Sequence, residues 1–97
     1  MKFEWDNQKA KKNVVKHDVS FEEASRLFED RADYIEIFDE SHSVDEDRFI
    51  AIGPIANGII VVVYIEKTLD LIRIISARKA TKQEIRLYIN FKKGKSK

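Results

Sequence analysis

The chain has 97 residues, no cysteine, one tryptophan and a formal net charge of +1. That length fits one compact domain and is too short for a barrel of eight strand–helix units, which takes about 250 residues. Without cysteine there are no disulfides, thiol nucleophiles or cysteine–zinc sites, which fits a reducing cytosol.

Hydrophobic residues are 43% and charged residues 36%, enough apolar material for one core. Net charge conceals a polarity. Residues 18–47 hold twelve acids and two bases, a net of −10, whereas residues 71–97 hold nine bases and one acid, a net of +8. Such polarity points to a basic surface for a polyanion or an acidic partner, unless the two segments face each other and cancel. The start lacks an apolar run of signal-peptide length. The longest such run, Ile59–Ile65, has seven residues. A membrane-spanning helix needs about 20, so the expectation is a soluble, cytoplasmic protein.

In chain order, Phe3 to Trp5 reads as a short opening strand or hook. Asp6 is a helix N-cap, and residues 7–17 follow as a helix with Ala10, Asn13, Val14 and His17 on one face. Asp18 and Val19 connect to a second helix, opened by the capping box Ser20–Glu23 and running to about Glu29. Tyr34–Phe38 alternates as a strand, and 39–47 is an acidic polar loop. Arg48–Ile52 is the next strand, ended by Gly53-Pro54, and Asn57-Gly58 marks a hairpin turn. Ile59–Ile65 is apolar on both parities, as in a central strand covered on both faces. Leu71–Ser76 is a further strand. Thr81 and Glu84 form a second capping box for a final helix with Ile85, Tyr88 and Ile89 inward. Residues 92–97 read as a frayed basic tail beyond a single domain of residues 1–91. The class is α+β, with an N-terminal helical hairpin, three or four antiparallel strands and a C-terminal helix.

The histidines, His17 and His42, lie far apart, and the acids around His42 lack the spacing and glycine of a calcium loop, so no metal site and no cofactor is expected. None of the three glycines lies in a phosphate-loop or dinucleotide pattern. The informative stretch is Arg73-Ile74-Ile75-Ser76-Ala77-Arg78-Lys79-Ala80-Thr81, where a strand runs into a helix start with three cations and a hydroxyl. Cations and helix N-termini both bind phosphate. On a regular strand Arg73 and Arg78 point oppositely; they converge only if the strand ends or bulges near Ser76. Otherwise Arg73 is an edge charge paired with an acid and Lys79 a solvated loop residue. Trp5, Tyr34, Tyr64 and Tyr88 are more often core than base-stacking residues.

Three phrases carry a resemblance: Phe3-x-Trp5-Asp6; Lys9-Ala10-x-x-Asn13-x-x-Lys16-His17-x-Val19-Ser20-Phe21-Glu22-Glu23-Ala24; and Arg73 through Thr81 with Glu84. With His42-Ser43-x-x-Glu46-x-Arg48 and Ile52-Gly53 between them, they resemble the BrnT toxin family over about residues 3–88. The resemblance implies a RelE-like fold and a cytoplasmic endoribonuclease that inhibits translation within a type II toxin–antitoxin system. It implies a BrnA-type ribbon-helix-helix antitoxin as partner, two toxins with two antitoxins, and operator DNA reached only through the antitoxin. By the same resemblance Arg73, Arg78 and Lys79 bind and stabilise the phosphate, His17 acts as base or acid, and Tyr88 assists. Lys9, Arg48 and Ser76 contact RNA, whereas Trp5, Phe21 and Ala24 keep the fold. The competing reading is a catalytically silent partner-binding module that tunes repression. Direct DNA binding is disfavoured, because the second helix is acidic and there is no basic recognition helix.

Overall fold

The computed structural model describes residues 1–29 and 33–95. Strand β1 (Lys2–Glu4) leads into helix α1 (Asn7–His17) and the short helix α2 (Phe21–Ser25), which continues as a 3₁₀ turn over Arg26–Phe28. Strands β2 (Ile35–Phe38), β3 (Arg48–Ile55), β4 (Gly58–Thr68) and β5 (Leu71–Lys79) come next, and helix α3 spans Lys82–Lys95.

The local signals act as chemistry requires. Asp6 accepts from the N–H groups of Gln8 and Lys9 at 2.8 and 3.1 Å, which holds its carboxyl below the usual range. The chain leaves α1 through Asp18 in the left-handed region (φ 57°), whose N–H donates to the Val14 carbonyl. Ser20 and Glu23 bond reciprocally at 2.9 and 3.1 Å, and Thr81 and Glu84 do the same at 3.2 and 2.8 Å.

The sheet has five strands in the order β1-β5-β4-β3-β2. It is mixed rather than antiparallel, because β1 pairs parallel to β5, Phe3 opposite Ile72. Three residues cannot show this by periodicity, so the opening segment read only as a strand or hook. β4 is central, as its two-sided apolar pattern requires. β3 runs past the expected stop at Gly53-Pro54 to Ile55. β2 covers only Phe49–Ile52 of β3, so Pro54 lies on an open edge where a missing N–H costs no ladder bond. A Cβ on Gly53 would sit 2.7 Å from Tyr34 Cβ and 2.8 Å from Leu27 Cδ1, so glycine allows this close approach. β5 continues three residues beyond Ser76, and α3 extends to Lys95, so residues 92–95 of the expected tail are helical. Residues 96–97 lie outside the described residues.

Each face of the sheet carries its own apolar cluster. Over the first face, α1, α2 and the 3₁₀ turn pack Val19, Phe21, Ala24 and Leu27 against Ile60, Val62, Tyr64, Ile72, Ile74 and Ala77. Trp5 meets Phe21 edge-on at 5.9 Å. The buried Tyr64 hydroxyl donates to the Glu36 carboxylate. Over the second face the cluster is smaller: Tyr88 of α3 on Ile35, Ile52 and Val61. Ile89, expected inward, is 42% exposed, because Tyr88 is the residue of that turn that reaches the sheet.

Asn13 is the buried polar residue of the first layer. Its amide nitrogen donates to the carbonyls of Val19 (2.8 Å) and Ala77 (2.7 Å), and its oxygen accepts from the Ala77 N–H (3.2 Å). β1 covers β5 only at residues 71–73, so Ala77 has no strand on that edge. The Asn13 amide takes the place of the missing strand and satisfies both backbone groups.

Candidate active site

The decisive local feature is a bulge in β5. Val63 pairs with Ser76 and Tyr64 with Ile74, so Ile75 is an extra residue. An unbroken strand would set Ala77 opposite in facing to Ile74. The bulge instead keeps Ile72, Ile74 and Ala77 in one core cluster and turns Ser76 and Arg78 to the other side with Arg73. The condition for convergence is therefore met.

Cross-strand partners share a face, so three rows define the second face. Arg48, Ile65, Arg73 and Glu4 form one. Ile37, Ile50, Val63 and Ser76 form the next, and Ile35, Ile52, Val61 and Arg78 the third. Arg48 and Arg73 flank the buried Ile65 from strands two apart, a backbone separation of about 10 Å. α3 covers the third row through Tyr88. Beside it, Gln83, Glu84, Arg86, Leu87 and Asn90 line an open groove of about 500 Å³ along the helix.

Both central arginines hold acids. Arg73 Nη1 donates to Glu4 Oε2 at 2.9 Å. Arg78 grips Glu84 through Nη1 and Nη2 at 2.7 Å each, and Nη1 also reaches the Lys79 carbonyl at 3.3 Å. The Arg78 hydrogen bonds, aided by the Thr81 backbone, outweigh burial and hold the Glu84 carboxyl down at about 2. Reciprocally, the Glu84 bonds raise the Arg78 pKa. A guanidinium has five N–H donors. Among the described residues Arg78 thus keeps Nε–H and one Nη2–H, the second edge of its fork, for another anion, and Arg73 keeps four donors.

Of the other expected site residues, Arg48, Ser76 and Tyr88 share this face and the remaining three belong to the helical side. Lys79 pairs with Ile60 and points to the helical layer, where it meets Asp18 at 3.8 Å. Lys9 and His17 belong to α1, which also lies over the first face. The sheet thus separates Lys79 and His17 from Arg73 and Arg78, whereas Lys9 sits at the β1 edge beside Asp6, whose carboxyl also feels the charge of Arg73. Tyr88 is on the second face, but its hydroxyl donates to the Asp33 carbonyl at 2.7 Å, and burial raises its pKa. Lys92 pairs with the Asp33 carboxylate. This pair and Lys79–Asp18 join the basic C-terminal segment to the acidic one, so part of the charge polarity cancels internally.

The sequence allowed an acid on Arg73 as one alternative but pointed to neither Glu4 nor, on Arg78, Glu84, although Glu84 was visible at capping-box spacing. Nor did it point to the pairing of His42 with Asp39 in the loop between β2 and β3. The i,i+3 spacing in an acidic stretch was its signal. Among the described residues no group of three or more His, Asp or Glu is placed to hold a metal.

A family model described as the ribonuclease toxin BrnT of type II toxin–antitoxin systems matches residues 5–84. The chain belongs to that family. The crystal structure of the ribonuclease toxin BrnT from Brucella abortus superposes with a TM-score of 0.67 at 29% sequence identity, covering 84% of this chain and 99% of that one. No curated protein matches the chain. No helix among the described residues is long and apolar enough to cross a membrane.

Proposed function

We propose that this chain is a cytoplasmic, metal-independent endoribonuclease that cleaves RNA on the second face of its sheet and so inhibits translation. A BrnA-type ribbon-helix-helix antitoxin neutralises it in a complex of two toxins with two antitoxins, which reaches operator DNA through the antitoxin. Family membership supports the toxin and ribonuclease reading. The observation that carries the site is the bulge at Ile75, which gathers Arg73, Ser76 and Arg78 with Arg48 on one face.

Cleavage of a phosphodiester by its own 2′-hydroxyl needs a proton acceptor, charge stabilisation on the five-coordinate phosphorus, and help for the departing 5′-oxygen. In this reading Arg48 and Arg73, which flank Ile65, hold the phosphate of the bond that is cut. Ser76 donates beside them, and Arg78, with its plane fixed by Glu84, offers its free edge to the RNA backbone further along the face. Tyr88 anchors α3 beside the site. Lys79, on the opposite layer, and Lys9, at the β1 edge, engage RNA only at a distance from the bond cut, and His17 takes no proton from it.

The test is induced expression in a bacterial host with RNA 5′ ends mapped before and after, wild type against Arg78→Ala and Arg73→Ala. New ends and growth arrest are expected with the wild type; at unchanged stability Arg73→Ala, which loses a charge-stabilising donor, lowers the yield of new ends about 10²–10³-fold, and Arg78→Ala, which loses a backbone contact, lowers it less. Toxicity untouched by both changes refutes the site. The acids already seated on both arginines favour one second reading, a silent antitoxin-binding module. Tight antitoxin binding with no new RNA ends from folded protein would establish it.

A further inference from the structure

We propose that His42, oriented by Asp39, is the proton acceptor of the cleavage reaction, presented at the Arg48 end of the cationic row. The inference rests on the ribonuclease reading above and names the group that reading leaves without a residue. A 3₁₀ turn over Glu40–His42 brings the two side chains together. His42 Nδ1 lies 3.2 and 3.1 Å from the two carboxylate oxygens of Asp39. Ser41 Oγ donates to Asp39 Oδ1 at 3.1 Å and sits 3.0 Å from the same ring nitrogen. The Asp39 side chain is 14% exposed and that of His42 66%, so the acid is fixed inside the loop and the ring meets solvent.

The loop is tied to β3 beside Arg48. The Asp39 N–H donates to the Arg48 carbonyl at 2.8 Å, the Arg48 N–H to Ser43 Oγ at 2.9 Å, and Ser43 Oγ to the Asp39 carbonyl at 2.6 Å. Burial pushes the Asp39 carboxyl up, but hydrogen bonds from His42 and Ser41 and the charges of a protonated His42 and of Arg48 bring it below its ordinary value. An ionised carboxylate only accepts, so the proton between the pair sits on Nδ1. In the neutral ring the lone pair is then on Nε2, which accepts from no described residue. A carboxylate holding Nδ1–H and a free Nε2 is the arrangement a general base needs. Asp39 acts as the positioning residue.

In the step, the 2′-hydroxyl proton passes to His42 Nε2 as its oxygen bonds to phosphorus and the bond from phosphorus to the 5′-oxygen breaks. The 5′-oxygen leaves with a proton from water, and the imidazolium returns its proton to the solvent. The products are a 2′,3′-cyclic phosphate end and a 5′-hydroxyl end.

The experiment uses the purified full chain and a mixed-sequence RNA transcript as probe, with single-turnover cleavage by wild type, His42→Ala, His42→Gln, Asp39→Asn and His17→Ala. The fold is checked by Trp5 fluorescence. Loss of a general base lowers the rate about 10²–10⁴-fold. That loss is expected in both His42 variants with half-saturating RNA concentration unchanged, and added imidazole restores part of the His42→Ala rate. Asp39→Asn lowers the rate without weakening RNA binding, and His17→Ala matches wild type. New ends accept phosphate directly from a polynucleotide kinase, as 5′-hydroxyls do. If wild type and folded His42→Ala cut equally, the assignment is overturned and the ribonuclease reading stands. A loss confined to RNA affinity, or one that imidazole leaves unrestored, also overturns it. Wild type that leaves every transcript intact overturns both.

Discussion

Replacing Asn13 with alanine tests how the helical layer is fastened to the sheet. The change removes three hydrogen bonds and leaves the Val19 carbonyl and both backbone groups of Ala77 without partners. At about 1 kcal/mol for each bond, and more if an orphaned group stays dry, the loss is about 3 kcal/mol. Alanine recovers about 0.5 kcal/mol through its higher helix propensity. The net, about 2.5 kcal/mol, is a large share of the roughly 5–15 kcal/mol that stabilises a domain of this size. It corresponds to a fall in Tm of about 10–20 °C. Urea unfolding followed by the fluorescence of Trp5, which packs on Phe21, reads it directly. The slope against urea should stay constant while the midpoint drops. Asn13→Asp should lose at least as much, because it aims a carboxylate at two carbonyls. A loss below about 1 kcal/mol would mean that water or a shifted β1 satisfies the β5 edge, and would refute the strand-substitute account.

Gly53→Ala should cost about 1–3 kcal/mol by overpacking, since a Cβ there collides with Tyr34 and Leu27; a Tm equal to wild type would show that β2 gives way. Glu84→Gln keeps an acceptor for the Thr81 N–H but loses the charge gripping Arg78. The folded Glu84 carboxyl lies at about 2 against an ordinary 4.5, so its stabilisation is full above about 4.5 and disappears as pH falls towards 2. Wild type and variant should therefore differ in denaturation midpoint at pH 7 and coincide near pH 2; a difference independent of pH contradicts the ion pair. Tyr88→Phe should cost about 1 kcal/mol through the lost bond to Asp33 and leave cleavage nearly unchanged, whereas a large loss of rate would place the hydroxyl in the chemistry.

Much of the fold was legible because its signals are local. Asp6, Ser20–Glu23 and Thr81–Glu84 satisfy N–H groups within three residues of themselves, and such caps need no distant partner. The two-sided apolar run of β4 marked the middle of the sheet, since only a strand covered on both faces gains from it. The cationic composition of 73–79 and the family phrases were equally plain in the chain.

Strand pairing settled everything that depends on which way a side chain points. One extra residue in β5 reverses the facing of every later residue in that strand. Arg78 joins Arg73 while Lys79 goes to the opposite layer, and no count of alternating positions shows a bulge that exists only against Val63 and Tyr64 of β4. The parallel pairing of β1 with β5 joins residues some seventy positions apart, and the partners of Arg73 and Asn13 depend on it or on its short length. His42 gained its relation to Arg48 in the same way, when β2 and β3 paired and closed the loop between them. The order of amino acids alone dictated the elements, their caps and the chemical types at the site. Which of those side chains share a face was left to the folded sheet, because facing is set by register and register is a property of two strands together.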